Sequence, residues 1–147
     1  MVTNFENITY DLTDVERQIM PFVINGLRGH GKSNPIKEKQ ICAKMNQFMK
    51  SRSEFLSNPI KSGERRLLSD EDLKAKMTGA RLRKIVSHIR VSGKLPIIAT
   101  SKGYYVSYDA EEIRNQVKSL EERAARILAA ANGIRCFLPE VTKKDDN

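Results

Sequence analysis

With 147 residues and 39% hydrophobic content, the chain is sized for one compact core plus an appended helix, and its composition argues against global disorder. No apolar run reaches the roughly 20 residues a bilayer span needs. The N-terminus, MVTNFE, has no basic region followed by an apolar one, so a cytoplasmic protein without membrane attachment is expected. The net charge of +8 is concentrated in the middle: residues 36–108 hold sixteen Lys/Arg against six Asp/Glu, while residues 1–35 and 109–147 are each acidic by one. Such an excess points to a basic face that meets a polyanion.

In chain order, a first helix is expected from residue 13. TDVE at 13–16 has the form of a capping box, in which Thr13 caps a backbone amide and Glu16 reaches back to the cap residue. Val15, Ile19, Phe22, Val23 and Leu27 then share one helical face. Pro21 removes one hydrogen bond from this run and can kink it, and Gly29, Gly31 and Asn34-Pro35 end it. GLRGHGKS at 26–33 satisfies the letter of a P-loop. A working P-loop needs a buried strand before it and a helix opening at Gly-Lys-Ser. Here the preceding run has helical periodicity, and Pro35 disfavours helix directly before it, so a nucleotide-binding enzyme stands as an alternative only.

A second helix is expected over 37–45, with Ile41 and Met45 inward. Residues 47–69 are rich in Ser and basic residues, with turn signals at Asn58-Pro59 and Ser62-Gly63. They read as a basic insertion with a short helix near 48–55, whose Lys50, Arg52, Lys61, Arg65 and Arg66 would form an additional DNA-contacting loop or be disordered without DNA. SDED at 69–72 reads as the cap of a further short helix through 76. Residues 79–91 place Leu82, Ile85, Val86 and Ile89 on one stripe, and Ser92-Gly93 stops that helix. Residues 95–100 and 104–108 are strand-like runs around Ser101-Lys102-Gly103, the pattern of a β-hairpin.

A last helix starts at Asp109, with Glu112 completing a capping pattern, and ends near Asn132-Gly133. Ile113, Val117, Leu120, Ala124, Ile127, Ala131 and Ile134 alternate by four and three, a heptad seam. That seam either joins a homodimer or packs on the domain. The organisation expected is a domain over 1–108, a C-terminal helix over 109–138 and a frayed tail over 139–147. Cys42 and Cys136 show no paired or metal-ligand spacing and read as reduced thiols.

The order of helices and hairpin is mainly α with a small β-hairpin, the layout of a winged helix with a long C-terminal helix. TGARLRKIVSHIRVSG at 78–93, followed by LPIIATSKGYYV at 95–106, resembles the recognition helix and wing of the winged helix-turn-helix superfamily and is similar to small proteins of phages and mobile elements. The resemblance implies a fold and a tendency to bind DNA, not a particular operator or process; the function expected is binding of double-stranded DNA in a regulatory or replication-related role. One feature departs from it: more than thirty residues separate the second helix from 79–91, where a short turn is usual. Either the chain carries an insertion there, or the helix at 70–76 is the partner of the recognition helix.

The residues support the DNA reading independently. Opposite the apolar stripe of 79–91, the helical face is centred on Ala80, Lys84 and Ser87, flanked by Arg83 and His88, with Arg81 at its edge and Thr78 at its start. Small residues at the centre permit close approach to a groove, and the cations reach phosphates or guanine edges. Lys102 at the hairpin turn and Lys94 at its base fit phosphate or minor-groove contacts. Tyr104 and Tyr105 point to opposite faces of a strand, so one belongs to the core. His30 and His88 have no paired carboxylate or Cys at a usable spacing. No catalysis, cofactor, metal or small-molecule substrate is therefore expected. The rival function is a winged helix used for protein–protein contact without DNA.

Overall fold

The computed structural model describes residues 11–56 and 76–139, with the backbone alone for 52–56. Its elements are α1 (Asp14–Arg28), α2 (Glu38–Leu56), α3 (Gly79–Val91), β1 (Ile97–Thr100), β2 (Gly103–Val106) and α4 (Ala110–Arg135). The chain is mainly helical, with a small two-stranded antiparallel hairpin and a long C-terminal helix. Residues 11–108 and 109–139 belong to two separate compact units.

Helix α1 opens on the expected capping box. The Glu16 amide donates to Thr13 Oγ1 at 3.3 Å, and the Thr13 amide donates to Glu16 Oε1 at 2.8 Å. Pro21 sits inside the helix without ending it. Pro21 and Arg17 are both exposed, so the Arg17 carbonyl left without its amide donor faces water rather than the core. Val15, Ile19, Val23 and Leu27 are buried, whereas Phe22 stays partly open with its ring centroid 4.5 Å from that of Phe48.

The second helix differs from expectation. It runs unbroken from Glu38 to Leu56 rather than stopping at 45, and the short helix expected near 48–55 is its continuation. Met49 continues the buried stripe of Ile41 and Met45 at four-residue spacing. Ser51 lies within the helix with its hydroxyl donating back to the Gln47 carbonyl at 3.1 Å. Lys50 is an exposed residue of α2. The rest of the expected insertion at 57–69, including Lys61, Arg65 and Arg66, lies outside the described residues, as do 70–75 of the expected short helix and 140–147 of the tail.

Asn46 joins α2 to the segment entering α3: its side-chain amide donates to the Met77 carbonyl at 3.2 Å and accepts from the Met77 amide at 2.6 Å. Thr78 caps α3 by accepting the Arg81 amide at 3.1 Å, and Leu82, Ile85, Val86 and Ile89 are buried as expected. Gly93, at φ +68°, reverses the chain after α3. The hairpin pairs Ile97 with Val106, Ile98 with Tyr105, Ala99 with Tyr104 and Thr100 with Gly103.

One further pairing was not expected. Ile36 forms an antiparallel bridge with Tyr104, each amide donating to the other's carbonyl at 2.9 and 2.8 Å. A residue between α1 and α2 thus lies beside β2 as a minimal third strand. Gly103 permits this approach, since it holds φ +128° and a Cβ there would collide with the Ile36 carbonyl. Ile36, Leu95 and Ile97 join the stripes of α1, α2 and α3 in one core.

Helix α4 begins at its Asp109 cap, which accepts the Glu112 amide at 3.0 Å, and runs to Arg135, two residues past the expected stop at Gly133. None of its residues is buried. Val117, Leu120, Ile127, Leu128 and Ile134 are exposed along it, with Phe137 and Leu138 just beyond its end. No described helix is long and apolar enough to cross a membrane.

Candidate nucleic-acid interface

Side chains of α3 fall into two classes. Ala80, Arg83 and Ser87 are exposed, one helical turn apart, and form its outward strip. Arg81 and Lys84, expected on that strip, turn instead toward α1. Arg81 Nε donates to Glu16 Oε2 at 3.0 Å and Lys84 Nζ to Glu16 Oε1 at 2.8 Å. The Glu16 side chain is 4% exposed and its two cations 23% and 26%. Burial alone would raise the Glu16 pKa, but hydrogen bonds from Lys84, the Thr13 amide and Arg81 outweigh it and hold the carboxyl below its ordinary value. The pull of a buried carboxylate explains the turn. A Lys or Arg on the flank of an amphipathic helix can reach either way, and the low-dielectric side gives the stronger attraction.

Arg83 behaves differently. Its guanidinium donates to Glu38 Oε1 at 2.7 Å, with side-chain exposures of 60% for Arg83 and 34% for Glu38. A pair this open contributes little to stability. Gly79 makes room for it, because a Cβ there would overlap the Glu38 carboxylate. Arg90 Nε donates to the Ile97 carbonyl at 3.1 Å, fixing α3 to β1. His88 is half-buried, and its Nδ1 is buried without a hydrogen-bond partner, which leaves Nε2 as the ring's polar edge. Thr78 is exposed, with its hydroxyl engaged as the helix cap.

Lys94 and Lys102 are both exposed, one before β1 and one in the hairpin turn. Next to the turn lies an open cleft of about 410 Å³ whose lining includes Lys37, Glu38 and Lys39 of the α2 entry, Thr100 and Ser101 of the hairpin, and Tyr104. The structure thus brings two exposed lysines that the sequence reading did not single out to the side of the hairpin. The signal for them was the Ile36–Tyr104 bridge, a single residue pair with no periodic pattern to announce it.

Tyr105 is buried, and Tyr104 is half-buried against the core beside the cleft. Burial, then the nearby Glu38 carboxylate, raises the Tyr104 pKa and keeps its hydroxyl neutral. The same two causes in the same order raise that of the Cys42 thiol. Cys42 and Cys136 are both free thiols.

The P-loop-like segment is also accounted for. Gly26 lies within α1 and Gly29 caps it, so a helix and not a strand precedes Lys32-Ser33. The Gly31 amide donates to the Asn34 side chain at 2.9 Å, and α2 opens only at Glu38. Among the described residues no cluster of His, Cys, Asp or Glu could hold a metal ion. No protein-family model, no curated protein and no solved structure matches the chain.

Proposed function

We propose that the chain is a winged helix-turn-helix protein that binds duplex DNA through the outward strip of α3 and the β1–β2 wing. The observation that carries this reading is the Ile36–Tyr104 bridge. It gives the order helix, minimal strand, helix, helix, hairpin around one core, with α3 and the wing joined through Arg90. The contact set is Ala80, Arg83, Ser87 and His88 on α3 with Lys94 and Lys102 on the wing, extended by Lys37 and Lys39. Ala80 and Ser87 are short enough to let the helix approach base edges. Arg81 and Lys84 support the helix from beneath.

Fluorescence anisotropy with labelled duplex and single-stranded DNA at several salt concentrations tests this. Duplex affinity should fall as salt rises, K94A/K102A should flatten the log–log slope by about 2, and R83A should weaken binding about tenfold or more. Absence of duplex binding at 50 mM salt, as a chosen test condition, sinks the proposal. A second reading draws on Glu16 and Glu38, which already pair with three cations of α3. In that reading the fold is a protein-contact module whose DNA affinity is negligible or indifferent to salt.

A further inference from the structure

Helix α4 carries a regular and exposed apolar seam. Val117, Leu120, Ala124, Ile127, Ala131 and Ile134 alternate by three and four residues, and all six are exposed. Leu128 is exposed one residue after Ile127 and flanks the seam. In heptad terms the alanines fall on one seam position together with Val117, and the other seam position holds only Leu and Ile.

We infer that a second copy of this chain covers the seam, with the two α4 helices running antiparallel. Two observations on α4 choose this occupant. The first is charge. Residues 109–122 hold five acidic against two basic side chains, while residues 123–135 hold three basic and none acidic. Antiparallel pairing lays the acidic half of each helix along the basic half of its partner, and parallel pairing lays like on like. Opposed helix dipoles act in the same direction.

The second observation is shape. In a parallel pair each seam position faces its own counterpart, so Ala124 meets Ala124 and Ala131 meets Ala131, leaving two thin layers. Antiparallel packing sets each position against the other kind. Every alanine then faces Leu or Ile whatever the register, and the layers are even in width.

The area is sufficient. A buried aliphatic or aromatic side chain removes on the order of 100 Å² or more from water. Each copy contributes seven large exposed apolar side chains from Val117 to Leu138. Together they reach the roughly 1,200–2,000 Å² of stable interfaces. The self-complementary charge also explains why an identical chain, rather than a partner of one sign, fits this face.

The test uses the full chain and reads mass, so it is independent of DNA binding. Sedimentation equilibrium should give twice the 16.7 kDa chain mass, and L120K/I127K, which alters only exposed positions, should give the single-chain mass with its helical circular dichroism retained. Orientation is read from spin labels on Cys136 in a C42S background. An antiparallel pair separates them by tens of ångströms, up to roughly 39 Å for full overlap of a 26-residue helix, and a parallel pair brings them within about 10 Å. A wild-type chain that sediments at the single-chain mass at 100 µM (a chosen concentration), a variant that stays dimeric, or labels side by side each overturn the inference.

Discussion

The two carboxylate oxygens of Glu16 close the first turn of α1 and also hold Arg81 and Lys84 of α3. Removing one side of a buried ion pair costs about 3–5 kcal/mol when the pair is fully buried. Both cations here are about a quarter exposed, so E16Q is expected to cost about 2 kcal/mol at neutral pH, read by urea unfolding. The pH dependence has a definite sign. A carboxyl whose pKa is depressed on folding adds stability above its unfolded value, and that stability is lost as pH falls through the folded value. Wild-type stability should therefore decline as pH drops below about 4.5, the unfolded reference, and E16Q should be flatter over the same window. An E16Q chain as stable as wild type, with the same acid profile, would show that the cluster contributes nothing. Arg83 gives the contrast. Its pair with Glu38 is open to solvent, so R83A should leave unfolding within about 0.5 kcal/mol of wild type while lowering duplex affinity. A large loss of stability in R83A would instead make that residue structural.

Among the elements, two glycines in unlike settings make opposite predictions. Gly103 combines φ +128° with the Ile36 carbonyl where a Cβ would stand. G103A should cost about 2–3 kcal/mol in thermal or urea unfolding, because the bridge to Ile36 must open as the backbone strains. Gly133 lies inside α4 with open space around it, so G133A should add up to about 1 kcal/mol of helix stability and raise ellipticity at 222 nm. The helices and hairpin were legible because each carries a local signal of its own: the capping box at Thr13, the cap at Asp109, the stripes of α1 and α3, and the glycine turn between two apolar runs. The length of α2 was misread because the Ser and basic residues of 47–69 look like an insertion, which split the helix near 48–55 from that over 37–45 although Ile41, Met45 and Met49 keep the stripe going. The contacts of α3 were not legible at all. Glu16 and Arg81 lie 65 positions apart, and no local pattern encodes a pairing at that distance. A weak hint existed: Glu16 falls on the same face of α1 as Val23 and Leu27, where an acid needs a buried cation.

At the scale of the molecule, net charge overstates the charge available to a polyanion. Residues 36–108 carry an excess of ten, and within them 57–75 hold four Lys/Arg balanced by four Asp/Glu. Arg81 and Lys84 are committed to Glu16. Lys37, Lys39, Lys94 and Lys102 stand exposed around the α2 entry and the wing, and Arg83 can leave Glu38 for a phosphate. Four or five phosphate contacts give a log–log salt slope of about −4, since each contact contributes roughly −0.9. Duplex affinity should then fall by about two to three orders of magnitude between 50 and 200 mM salt. Engagement of the whole basic excess would bring the slope near −9 and a loss beyond five orders. The slope therefore reads the state of the Glu16 cluster directly. Near −4, Arg81 and Lys84 remain paired beneath α3; their release from Glu16 to the DNA adds two contacts and steepens the slope to about −6, and E16Q should then bind more tightly than wild type. A slope near zero in the wild-type chain leaves the exposed lysines without a polyanion to meet and favours the protein-contact reading.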